Sequence, residues 1–297
     1  MSSSLPLADE QPPARRRLGC LASALVVGAL VAVGGYAGLH WFRSGMDLGG
    51  PVCRATAGGT TVTFTPEQMD NAGTIVGIAM GRSLPARAGP IAIATAIQES
   101  KLRNINYGDR DSLGLFQQRP SMGWGTPDEI LDPEYSTNTF YDVLVTVPDW
   151  ESGVVTEVAQ EVQRSAFPDA YGDHEHEGRA IASTLSGHSP AGLACRLDAP
   201  IRHTESEDLI EDLRRHLGVA GTVSEEGRTL RLVLASEEQA WAAGQYLVAK
   251  AERHSITAVV VEERAWRRAS GPSALDWMPA DEPAGPLTVT ATLTPQR

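Results

Sequence analysis

The sequence predicts a mainly α-helical domain following a single transmembrane helix, with a small two-layer α+β domain at the C-terminus. Three observations predict it. An uncharged apolar run lies near the start of the chain, and helix-start signatures then recur from residue 65 to 186 without clear strand periodicity. After Cys195, alternating and β-branched segments interleave with amphipathic ones. The 297 residues suffice for two modest cores.

Residues 1–17 are polar and proline-bearing, and are expected to form a disordered cytoplasmic tail. Leu18 to Leu39 then run for 22 residues without a charge, which at the helical rise covers roughly 30 Å, the hydrocarbon thickness of a bilayer. Arg15, Arg16 and Arg17 precede this run and only Arg43 follows closely, so the positive-inside rule places the N-terminus in the cytoplasm and the rest outside. The run exceeds the ~7–15 residues of a cleaved signal peptide, favouring an uncleaved signal-anchor and a single-pass protein of the cell membrane. Residues 40–62 are glycine-rich and read as a linker. Cys53 and Cys195 would both face an oxidising compartment, where a disulfide is the expected state and two free buried thiols the alternative.

Within 63–197, Thr65-Pro66-Glu67-Gln68 and Thr126-Pro127-Asp128-Glu129 are helix starts, combining a capping threonine with proline at the first position. Further helices are expected over 89–100, 136–147, 153–164 and 178–186, with a polar loop or short hairpin at 101–125. In 203–297, Glu205–Leu217 reads as an amphipathic helix and Arg228–Leu234 as a strand. Ser236 caps another helix, and Ile256–Val261 and Leu287–Leu293 read as strands, the order of a two-layer α+β module. The net charge of −12 argues against nucleic acid as a partner.

One stretch carries chemistry. The apolar helix 89–100 runs into Glu99, where poor solvation of the charged form raises the proton affinity of a carboxyl group. A carboxylic acid protonated near neutral pH can protonate a glycosidic oxygen. Fifteen residues later comes Gly114-Leu115-Phe116-Gln117. With this spacing the segment resembles the lysozyme-like soluble lytic transglycosylase domains of bacterial cell-wall metabolism. Their first motif is glutamate-serine, here Glu99-Ser100, and their second is glycine-leucine-methionine-glutamine at the same offset, with Phe116 replacing the methionine. The resemblance covers residues 65 to 185 and implies a lysozyme-like domain of the α+β superfamily.

It also implies that Glu99 protonates the leaving oxygen between N-acetylmuramic acid and N-acetylglucosamine. Glu99 then deprotonates the muramic 6-hydroxyl, which closes a 1,6-anhydro ring without a second carboxylate, metal or cofactor. Ser100 is placed near the cleft floor, and Gly114, Leu115, Phe116 and Gln117 along the sugar groove. The family's tyrosine-asparagine-alanine-glycine motif is missing; the nearest segment, "SAFPDAYGDHE", offers Tyr171 in the tyrosine's place. The asparagine-proline that commonly follows the first motif is Arg103-Asn104 here.

The expected partners are peptidoglycan glycan strands and the cytoplasmic membrane, with the C-terminal domain left to contact other envelope proteins. Two alternatives stay open. One is a hydrolytic reaction with Asp109, Asp111 or Asp169 as partner carboxylate; the other is a non-catalytic wall-binding or scaffolding protein. His174 and His176 sit among acids, but no second ligand cluster accompanies them, so they read as a solvated loop rather than a zinc site. Tyr107, Trp124 and Phe167 are candidates for stacking on sugars, with core or rim packing the plainer role. "EERAWRR" (262–268) reads as an exposed hairpin.

Overall fold

The computed structural model describes residues 49–164, 168–201, 206–223 and 228–294. Strand β1 (Val52–Ala57) turns at Gly58-Gly59 into β2 (Thr60–Phe64), and β3 (Leu193–Arg196) returns to the other edge of β1, giving an antiparallel sheet in the order β2-β1-β3. Six helices lie between β2 and β3: α1 (Pro66–Gly81), α2 (Ala88–Ser100), α3 (Pro127–Ile130), α4 (Pro133–Leu144), α5 (Val155–Gln163) and α6 (Glu175–Leu185). Both predicted threonine caps close as reciprocal capping boxes, Thr65 with Gln68 and Thr126 with Glu129.

Beyond β3 come α7 (Ser206–Leu217), β4 (Thr222–Val223), β5 (Thr229–Val233) and α8 (Glu237–Ala249). The chain finishes with β6 (Ile256–Val261), β7 (Arg264–Arg267), β8 (Met278–Pro279) and β9 (Thr288–Leu293). These strands form a second sheet, ordered β4-β5-β9-β6-β7-β8. Helix α8 lies against β6 and β9 and is buried along nearly its whole length.

Three expectations are corrected here. The described residues form an α+β fold with eight helices and two sheets, and none of those helices is long and apolar enough to cross a membrane. The longest, α1, has 16 residues against the roughly 20 a bilayer demands. The single-pass architecture, the membrane localisation and the outside placement of the remaining chain are therefore not carried further. The run Leu18–Leu39 that suggested them lies outside the described residues. Second, residues 60–195 are not free of strands: β3 is buried at every position, so it shows no alternation, and β2 is largely threonine. Third, the "EERAWRR" segment is a hairpin as expected, with Glu262-Glu263 turning β6 into β7, but it is not wholly exposed: Trp266 is fully buried between exposed arginines.

Cys53 and Cys195 face each other in the β1–β3 register and form a disulfide across a sequence separation of 142. Two indole donors reinforce this corner. Trp266 Nε1 donates to the Cys195 carbonyl at 2.9 Å, and Trp277 Nε1 donates to the Leu193 carbonyl at 2.8 Å, so side chains of the C-terminal region fix β3. In the chain-entropy view, a loop this long gives the disulfide on the order of 4–5 kcal/mol. Reduction should therefore shift the chemical denaturation midpoint strongly downward, and the denatured, unreduced protein should take up no thiol reagent at either cysteine. Equal midpoints for oxidised and reduced protein would contradict this.

Helix α1 is the hub of the core. It packs against α2 and α4 on one side and α7 and α8 on another, with Met69, Ala72, Ile75 and Val76 buried. Gly77 brings α7 and α8 close: a β-carbon there would lie 3.1 Å from the His216 side chain and 3.2 Å from Tyr246. The same interface buries charge. Lys250 Nζ lies 2.8 Å from Asp70 Oδ1 and donates to Thr74 Oγ1 at 2.6 Å, with no part of the lysine side chain exposed. Beside it, Asp212 pairs with His254 at 2.8 Å, and His216 Nδ1 lies 2.6 Å from the Tyr246 hydroxyl. Burial, reinforced by Lys250, pushes the His216 imidazole down to about 3, so it is neutral near pH 7.

Candidate active site

Helix α2 is apolar and buried for nearly three turns before it reaches Glu99, its first half-buried carboxylate. It stops immediately afterwards. Lys101 and Leu102 both take left-handed backbone conformations, with their N–H groups returning to the Ile97 and Ala96 carbonyls. Helix α1 holds that turn: Gln68 Nε2 donates to the Lys101 carbonyl at 2.6 Å, and Asn71 Nδ2 to the Leu102 carbonyl at 2.8 Å. The glutamate thus sits at the end of a helix fixed from two directions.

One hydroxyl donor meets its carboxyl group at close range. The Tyr171 hydroxyl, from the 3-10 turn Pro168–His174, donates to Glu99 Oε1 at 2.6 Å. The Gln163 side chain, at the end of α5, donates to the Phe116 carbonyl at 2.7 Å and favours the charged form of the nearby Glu99. Burial raises the proton affinity of Glu99 above that of an ordinary carboxyl group, while Tyr171 and Gln163 favour the charged form and moderate the rise. Such a group can hold a proton and also release it. That is the requirement for one residue acting first as acid and then as base.

The two sequence motifs meet in space through Ser100. Its hydroxyl donates to the Leu115 carbonyl at 2.7 Å and lies 3.1 Å from the Ala96 carbonyl. Ser100 is buried, so it joins the motifs instead of presenting a polar group to a ligand. Gly114 has φ 75°, and a β-carbon there would lie 2.6 Å from the Ile130 carbonyl, so both the backbone and the close approach select glycine.

Leu115 and Phe116 are fully buried, and Phe116 stacks on Phe140 with ring centroids 4.5 Å apart. The groove-lining role predicted for these two side chains is not what their positions offer. Gln117 is half-buried, and its amide donates within its own loop, at 3.3 Å to each of the Tyr107 and Gly114 carbonyls. The structure therefore brings Glu99, Ser100, Tyr171 and the backbone of Gly114–Gln117 together, with Gln163 among them. Gln163 carries no local signal that marks it in the sequence; only the packing of α5 against α2 reveals it.

The other candidates fall away from this cluster. Asp111 is engaged by Arg119 Nε at 2.9 Å and by the Ser121 N–H at 2.8 Å, contacts that hold its carboxyl well below the usual carboxylate range. The Asp109 side chain is 92% exposed, beside Arg110. The side chain of Asp169, and all of Phe167, lie outside the described residues. Tyr107 is exposed and Trp124 packs partly against the core. His174 Nδ1 pairs with Glu177 at 2.7 Å, and among the described residues no three His, Cys, Asp or Glu side chains gather as a metal site would need.

Two clefts lie elsewhere. One of about 380 Å³, between α6 and the β1–β2 hairpin, includes His176 and Arg179; one of about 300 Å³ includes Arg54 and Trp277. Neither contains Glu99. A polymer needs an open groove more than an enclosed volume, so the carboxylate and its donors are the better guide to chemistry.

No protein-family model matches the chain, and no curated protein matches it.

Proposed function

We propose that the chain cleaves the glycan strands of peptidoglycan as a lytic transglycosylase, with Glu99 as both acid and base. The observation that supports it best is the 2.6 Å hydrogen bond from Tyr171 to Glu99, which spans 72 positions of sequence. It joins the motif-bearing helix to Tyr171, the residue that the nearest segment offers in place of the family's missing tyrosine motif.

Protonated Glu99 gives its proton to the oxygen linking muramic acid C1 to the next N-acetylglucosamine, and the C1–O bond breaks. The glucosamine leaves with a free hydroxyl. The muramic 6-hydroxyl then attacks C1 as its proton passes to the Glu99 carboxylate, which restores the acid. No water is consumed. Tyr171 keeps the carboxyl oriented through both steps, and its hydrogen bond strengthens as negative charge develops on Glu99.

Incubating the purified protein with purified peptidoglycan should release soluble muropeptides over time. If none were released while the protein still sedimented with the insoluble wall, a non-catalytic wall-binding role would replace this one. That second role has an observation in its favour. With Leu115 and Phe116 buried and the Gln117 amide turned inward, the second motif offers few side-chain contacts to a sugar.

A further inference from the structure

We propose that the cleft of about 300 Å³ beside Trp277 binds a small monocarboxylate between Arg54 and Arg264. The proposal goes beyond the lytic reading and does not depend on it, since Glu99 does not line this cleft. The two arginines come from different sheets. On β1, Arg54 and Thr56 alternate with the buried Cys53 and Ala55, so both belong to the face of the first sheet opposite the disulfide. On β7, Arg264 shares a strand face with the buried Trp266 and lines the same cleft as Arg54.

The two guanidinium groups are held differently. Arg54 Nη2 donates to the Leu275 carbonyl at 2.5 Å and to Asp276 Oδ1 at 2.8 Å, leaving its Nε and Nη1 donors without a partner among the described residues. The Arg264 side chain makes no hydrogen bond or ion pair among the described residues, although its backbone is fixed in the sheet opposite both Val261 and Pro279. A cation fixed at its root, unpaired at its tip and sharing a cleft with a second arginine is an arrangement that an anion relieves.

Charge and size choose the anion. Arg54 and Arg264 against Asp276 leave one net positive charge on the lining, which a monoanion balances and a phosphate dianion exceeds. A guanidinium fork matches the two oxygens of a carboxylate. The volume lies at the bottom of the roughly 300–1,000 Å³ range of small-molecule sites, so the ligand is about the size of one amino acid. Leu275 and Trp277 give it an apolar surface to rest on. Trp277 is rigidly placed: its indole N–H donates to the Leu193 carbonyl at 2.8 Å, and its ring meets Trp241 edge-on with centroids 5.2 Å apart. The ligand therefore joins one carboxylate to a short apolar body.

The test titrates the nitrogen-15-labelled protein with N-acetylalanine, propionate, the neutral N-acetylalaninamide and inorganic phosphate, following the Trp277 indole N–H and the Gly192 amide by NMR. N-acetylalanine stands for a peptide end and propionate for a free acid; saturable binding of either supports the site, and the tighter of the two names the source. The neutral amide should not bind. Arg264→Gln should weaken the carboxylate at least tenfold, about the size of one hydrogen bond between charged groups, and Arg264→Lys, which keeps the charge without the fork, should fall between. Since Arg264 has no side-chain partner to lose, both variants should keep wild-type stability. No saturable shift with either acid overturns the proposal, as do equal binding of the neutral amide, tighter binding of phosphate, or undiminished binding in the folded Arg264 variants. Every reading is made without turnover, so the result is the same whether or not Glu99 cleaves a glycan.

Discussion

Glu99→Gln is expected to reduce muropeptide release from peptidoglycan by about 10²–10⁴-fold, the range for losing a general acid, with folding and wall binding retained. The substitution preserves the shape of the side chain, and the new amide oxygen can still accept from the Tyr171 hydroxyl that now sits 2.6 Å from Oε1. What disappears is the transferable proton. Since burial is the largest influence on Glu99, a neutral amide is at least as well tolerated there as the carboxylate, and stability should hold or rise slightly at neutral pH. The loss should therefore appear in kcat, with KM little changed. Wild-type turnover by folded Glu99→Gln would remove the acid role.

Asp70→Ala is expected to cost about 3–5 kcal/mol of stability, the usual result of leaving one buried charge without its counter-ion. Lys250 is fully enclosed, held by the Asp70 carboxylate at 2.8 Å, the Asp70 carbonyl at 2.9 Å and Thr74 at 2.6 Å, with the Tyr246 ring beside it. After the substitution the ammonium keeps only neutral hydrogen-bond partners, with the Asp212 carboxylate the more distant negative charge that still acts on it. Replacing both members, Asp70→Leu with Lys250→Met, removes the charge altogether and should recover most of the loss. Urea denaturation of Asp70→Leu, Lys250→Met and the double variant measures this as a cycle. Additive losses, or an Asp70→Ala protein as stable as wild type, would show that the pair is incidental. Because Asp70 lies on α1 and Lys250 at the end of α8, the cycle also reports how firmly the C-terminal elements brace the helix that orients the end of α2.

What the sequence made legible was mostly local. Thr65 with Gln68, and Thr126 with Glu129, announce helix starts because a capping box is built within four residues and needs no tertiary partner. The β1–β2 hairpin carried a local signal too: Gly58-Gly59 is a two-residue turn with φ 56° and 80°. A glycine pair also suits a linker, and it was the pairing with β3, more than a hundred residues on, that decided between them. Trp266 misleads because its arginine neighbours are exposed while its own ring fills the core, a pattern that charge counting along the chain does not separate.

The site divides in the same way. Glu99 stands out because an apolar helix ending in a carboxylate is a local anomaly. Leu115 and Phe116 are ordinary core residues by type, and the structure uses them so. Gln163 and the buried Asp212–His254 pair make their contacts across 47 and 42 positions, where no spacing rule speaks, whereas Ser100 reaches Leu115 across the same 15 positions that separate the two motifs.

The decisive measurement is the mass of whatever muropeptides the purified protein releases from purified peptidoglycan. Attack by the muramic 6-hydroxyl predicts products ending in a 1,6-anhydro ring, one water lighter than those of hydrolysis, and predicts their loss in Glu99→Gln. Products carrying a free reducing end would point to hydrolysis instead, and the absence of any product from folded wild-type protein would contradict the proposed activity.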